Sequence, residues 1–205
     1  IGGYVEESAQ LLQEQLSLPP GYSISWTGQY QYMQRAQQTL LVIVPITLLL
    51  IVFLLSVNFR SSAEVLIIVA TLPLAMVGGI LLLYYQGFNF SVAVAVGFIA
   101  LAGVAVETAV IMLQYLKQAY EDLTLGATSL EILSAIEHAA MQSVRPVIMT
   151  AVATIVGLLP VMLGSGTGSE IMSRIAVPMV GGMFTAVLLT LFLIPAIYVL
   201  YRLRR

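Results

Sequence analysis

The sequence has 205 residues, 60% of them hydrophobic and only 9% charged, so water is the wrong solvent for most of it. A formal net charge of -2 with 8 Lys and Arg offers no cationic surface for a phosphate backbone, which excludes nucleic acid as a partner. The absence of cysteine excludes disulfides, thiolate metal sites and cysteine nucleophiles together.

Residues 1–38 read as a short α/β tail of an outer domain. Val5, Ala9, Leu12 and Leu16 share one helical face, Leu18-Pro19-Pro20-Gly21 makes a turn, and Tyr22, Ile24 and Trp26 alternate as in a strand. The chain opens on Ile1 without a signal-peptide pattern and is expected to be cut from a longer protein. Beyond residue 38 the charge gaps locate membrane spans, since a hydrocarbon core about 30 Å thick needs about 20 mostly apolar residues. The first span is 39–58 and the second 64–85; Gly87-Phe88-Asn89-Phe90-Ser91 separates it from a third at 92–116.

A loop at 117–145 follows, in which Thr128 and Glu131 fit a capping box. Leu133, Ile136 and Ala140 line one face of an amphipathic helix expected to end before Pro146 and to lie flat on the membrane surface. A fourth span at 146–163, a glycine-rich turn at 164–173, a fifth span at 174–201 and a tail at 202–205 complete the chain. The predicted fold is an all-α membrane protein, a bundle of five transmembrane helices plus a cytoplasmic interfacial helix. Arg60, Lys117, Arg145, Arg202, Arg204 and Arg205 fall on one side of the membrane and only Arg35 and Arg174 on the other, which predicts a cytoplasmic C-terminus.

Glu107 is the one acidic residue well inside a span. The bilayer core penalises its ionised form by roughly 2.5–3.5 kcal/mol on insertion scales, and intramembrane carboxylates mark proton or ion pathways. It either loads and releases a proton or stays a protonated, hydrogen-bonded part of the bundle. Gly103, Val110 and Gln114 share its helical face. Thr150 and Thr154, four apart, either join a proton or water path or bond their own backbone carbonyls at i-4. Met149, Met162, Met172, Met179 and Met183 concentrate in the last third, as soft ligands for Cu(I) or Ag(I) or as core filler. The segment Gly164 to Glu170 lacks the Gly-Lys-Ser/Thr ending of a phosphate loop; it reads as a hairpin, with Glu170 and Arg174 spaced for an i,i+4 pair. His138 has no partner for a triad or a metal site, and no enzyme constellation emerges.

Several stretches together resemble the resistance-nodulation-division efflux permeases, and within them the heavy-metal branch. These are Trp26-Thr27-Gly28-Gln29-Tyr30, Asn58-Phe59-Arg60, Leu72-Pro73-Leu74-Ala75, the run Gly97 to Ala105, Arg145-Pro146 and Gly164 to Ile175. The resemblance implies the last five of twelve spans of an inner-membrane pump, with residues 1–38 ending a periplasmic porter region. It further implies a homotrimer that works with a periplasmic adaptor and an outer-membrane channel, and an N-terminal half outside this sequence that supplies the carboxylate partner of Glu107.

Val106-Glu107-Thr108 resembles the copper/silver branch, where drug exporters place a Lys. Glu107 thereby inherits the proton-relay role, and Met172 falls where that branch has a Met of its metal path. The cargo implied is Cu(I) or Ag(I) exchanged for protons, with no cofactor. Val147 departs from the branch, which carries a Lys there. Two readings follow: a secondary active transporter, whether of this metal, another cation or a drug, or a non-transporting membrane anchor.

Overall fold

A computed structural model describes residues 2–15, 19, 21, 24, 26–123, 128–166 and 168–203. The described residues form six helices and no strand: α1 (Gly2–Gln15), α2 (Gln29–Phe59), α3 (Ser62–Tyr85), α4 (Val92–Glu121), α5 (Ser129–Leu163) and α6 (Ser169–Leu203). Five of them, α2 to α6, are long and apolar enough to cross a membrane.

The helices run past the charge gaps because a gap marks the hydrocarbon and not the end of the hydrogen-bonded ladder. Helix α4, for example, carries Lys117 and Glu121 in its final turns. The largest difference from expectation is α5. The amphipathic segment does not stop before Pro146 but continues through it into the span as one helix, so the described residues hold no separate helix between α4 and the fourth span. Pro146 removes one backbone donor, and the ladder on either side holds the segment together; the Thr150 hydroxyl donates to the Pro146 carbonyl at 2.6 Å. At 1.5 Å per residue α5 is about 50 Å long and overreaches the hydrocarbon core by about 20 Å. The capping box forms at its start, where the Thr128 backbone N–H donates to the Glu131 carboxylate at 2.7 Å.

The chain divides into two compact units, residues 1–51 and 52–205. In the first, α1 buries Val5 and half-buries Ala9 and Leu12, as their shared face predicts, while Leu16 lies outside the described residues. The expected strand cannot be followed: Tyr22 lies outside the described residues, and Ile24 and Trp26 belong to no regular element.

In the second unit α6 is the central helix, packed against α3, α4 and α5, and α4 also touches α3 and α5. Small residues bring the backbones together, as helix association in lipid requires. A Cβ at Gly181 would lie 2.5 Å from the Gly78 carbonyl oxygen, and one at Gly97 would lie 2.5 Å from the Ile175 carbonyl oxygen. Thr185 donates across the α3/α6 contact to the Ala75 carbonyl at 2.8 Å. The outward side chains, among them Leu66, Leu81, Val156, Phe184 and Phe192, are apolar and exposed, which suits a lipid solvent.

Candidate functional site

Helix α4 is two-faced. Leu101, Ala105, Thr108, Ala109, Met112 and Leu113 are buried, and the Thr108 hydroxyl is turned into its own helix, donating to the Ala105 carbonyl at 3.0 Å. Gly103, Glu107 and Gln114 lie on the other face and are exposed, with Val110 half-buried between them. A Cβ added at Gly103 meets nothing within 4 Å. Glu107 therefore points away from the core formed by α3, α5 and α6, on an exposed helix face that also carries the Gln114 amide. An ionised carboxylate facing hydrocarbon carries a large penalty, which the protonated form avoids.

Thr150 and Thr154 are half-buried on α5, the helix beside α4. Each hydroxyl donates to its own helix, Thr150 to Pro146 at 2.6 Å and Thr154 to Thr150 at 2.9 Å. Their protons are thus engaged, while each oxygen keeps lone pairs that can accept from a water or an acid. No hydrogen bond joins Glu107 to either threonine among the described residues. Val147, on the same helix, is fully buried in the apolar interior, so no titratable side chain enters at that position.

The methionines do not converge. Met183 is buried in one apolar cluster, against which Met179 and Met76 pack, and Met162 belongs to another. Met149 and Met172 are exposed, Met172 to 57% in the first turn of α6. Three of the five thus behave as core, and Met172 alone of the outer pair sits beside the glycine turn. There Gly166 and Gly168 take left-handed φ values of 156° and 91°. The predicted Glu170 to Arg174 pair does not form; Arg174 instead lies over the Phe88 ring, 5.6 Å from its centroid. His138 shares a hydrogen bond with Gln142 at 3.0 Å on the exposed side of α5.

A second polar centre was invisible in the sequence. Glu64, in the first turn of α3, is 2% exposed, and its Oε1 accepts from Arg202 Nη2 at 2.9 Å. Lys117 Nζ stands 4.0 Å from Glu64 Oε2 and donates to the Phe59 carbonyl at 3.1 Å. The guanidinium of Arg202 lies over the Tyr120 ring at 4.1 Å and donates to the Tyr198 hydroxyl at 2.8 Å. Glu64 reads only as the edge of a charge gap, and its partners lie 53 and 138 residues away in sequence. An acid opening one helix and a base closing another is the sole hint.

Apolar helices crossing at glycine seams, with one carboxylate held mid-span on an open face, define a multi-span integral membrane protein. The chain belongs to the AcrB/AcrD/AcrF family, whose profile matches residues 1–202. It is 46% identical over 98% of its length to the cation efflux system protein CusA of Escherichia coli K12. It is 37% identical over 97% to the cobalt-zinc-cadmium resistance protein CzcA of Cupriavidus metallidurans. A crystal structure of a heavy metal efflux pump superposes on 98% of the chain with a TM-score of 0.79 at 36% identity. The chain spans about a fifth of the length of these relatives, covering 20% of CusA and 19% of the pump. The resemblance to the heavy-metal branch of the efflux permeases is thereby borne out, as is the five-span helical fold.

Proposed function

We propose that this chain is the C-terminal membrane part of a proton-driven efflux transporter, a cation/proton antiporter that exports Cu(I) or Ag(I) and is not an enzyme. The observation that carries the reading is Glu107, the one mid-span carboxylate, displayed on an exposed helix face. Protonation and deprotonation there, against a carboxylate of the remaining chain, couples proton entry to metal exit. Thr150 and Thr154 offer hydroxyl oxygens to the same path. Met172, exposed at the outer end of α6, offers a soft thioether to a monovalent metal without requiring deprotonation.

The lower identity to CzcA, which is named for cobalt, zinc and cadmium, than to the cation efflux protein CusA supports a cargo other than those divalent ions, and the buried Val147 supports a relay wired without a lysine at that point. The excess of Lys and Arg at the ends bearing Arg60, Lys117, Arg145 and Arg202 supports a cytoplasmic C-terminus in the bacterial inner membrane. The working assembly is a homotrimer joined to a periplasmic adaptor and an outer-membrane channel. The test is growth of cells expressing the complete protein on silver and copper salts. Glu107→Gln, at normal membrane levels, removes the tolerance; unchanged tolerance sinks the transport reading in favour of a passive membrane anchor.

A further inference from the structure

The charge cluster at the Phe59 end of the bundle gathers groups from four helices. Helix α2 contributes the Phe59 carbonyl and ring, α3 contributes Glu64, α4 contributes Lys117, Tyr120 and Glu121, and α6 contributes Tyr198, Tyr201 and Arg202. The acid is placed at a helix start and the two bases near helix ends, each where the backbone dipole favours its sign. Arg202 is held on three sides at once: by Glu64 Oε1, by the Tyr198 hydroxyl and by the faces of Tyr120, Tyr198 and Tyr201 within 4.1–5.4 Å. Such a site tolerates little sliding, because moving one helix along its axis separates a buried carboxylate from its cations.

Lys117 and Glu107 are on the same helix, ten residues or about 15 Å apart. We propose that Glu64, Lys117 and Arg202 are positioning residues for proton coupling: an ion lock that fixes the depth and rotation of α4 against α3 and α6, and through them the place of Glu107. The proposal rests on the transport reading of Glu107. Its distinguishing content is register. A buried ion pair adds little net stability over a well-packed apolar replacement, but it discriminates one alignment from its neighbours.

The test uses the complete protein reconstituted in lipid vesicles, with silver ion as the cargo and an imposed proton gradient. Glu64→Gln alone leaves Arg202 buried without its acid and is expected to lower the amount of folded protein. The apolar replacement Glu64→Leu with Lys117→Leu and Arg202→Met is expected to restore that amount. Its maximal silver flux nevertheless stays about tenfold or more below wild type, while half-saturating silver is unchanged. Reaction of Glu107 with a carbodiimide, followed by mass spectrometry, changes in the same variant, because the carboxyl no longer sits where it did.

Wild-type flux and wild-type carbodiimide reactivity in the apolar variant overturn the proposal. If that variant fails to accumulate, Lys117→Met decides, since it leaves the Glu64 to Arg202 pair in place. A several-fold loss of flux at normal protein level upholds the lock, and unchanged flux refutes it. Glu107→Gln run alongside separates the two claims. Flux surviving in that variant defeats the transport reading itself, whereas its loss beside intact lock variants defeats only the lock.

Discussion

Replacing Gly181 by Ala probes the α3/α6 seam on which the bundle turns. The added methyl carbon would stand 2.5 Å from the Gly78 carbonyl oxygen and 2.6 Å from Leu82 Cβ, against the 3.0 Å below which such contacts essentially never occur. Both obstacles belong to or adjoin the facing backbone, so the helices must separate by about 0.5 Å, the difference between 2.5 and 3.0 Å. That separation also stretches the Thr185 to Ala75 hydrogen bond from its present 2.8 Å. Overpacking of this kind costs about 1–3 kcal/mol, and a weakened interhelical hydrogen bond adds about 0.6 kcal/mol in a membrane. The expected total is about 1.6–3.6 kcal/mol. The assay is the thermal midpoint of the complete protein in detergent, with Gly157→Ala, whose methyl meets nothing within 4 Å, as the reference. A Gly181→Ala protein that melts with the wild type refutes the seam.

Thr185→Val removes the hydroxyl that donates both to Ala75 across the seam and to Gly182 in its own helix, and is expected to lower stability by about 0.6–1.7 kcal/mol in the same melting assay, less than Gly181→Ala. Met172→Leu removes an exposed thioether, so folding is unaffected while silver export falls roughly tenfold, equivalent to about 1.4 kcal/mol of lost ligation; Met183→Leu, a swap inside the core, costs under about 1.5 kcal/mol of stability and spares export. Thr154→Val removes a hydroxyl oxygen without disturbing packing, and proton-coupled flux is expected to fall several-fold and to return with Thr154→Ser; equal flux in both variants removes Thr154 from the relay.

The spans were legible because hydrocarbon imposes one demand, about 20 residues without charge, that a sequence displays directly. Glu107 was legible for the same reason, as the exception to that demand. The face it occupies was not: Gly103, Glu107 and Gln114 share a helical side whether it is buried or open, and only the neighbours decide. Pro146 misled because proline ends most helices in water, whereas here the ladder continues on both sides of it and Thr150 bonds back to its carbonyl. Arg174 chose the Phe88 ring over Glu170, a contact between segments 86 residues apart that spacing within a helix cannot announce. The Glu64 cluster was hidden for the same reason, since its members are neighbours only after α3, α4 and α6 have packed.

A proton on Glu107 is proposed to drive the export of a metal ion. The most direct test places the complete protein in vesicles with an imposed pH gradient and follows silver movement and proton release together. The wild type is predicted to move silver only while the gradient lasts, with protons released in step, and Glu107→Gln to do neither. Silver flux in Glu107→Gln at the wild-type rate, still collapsing the gradient, would contradict the account.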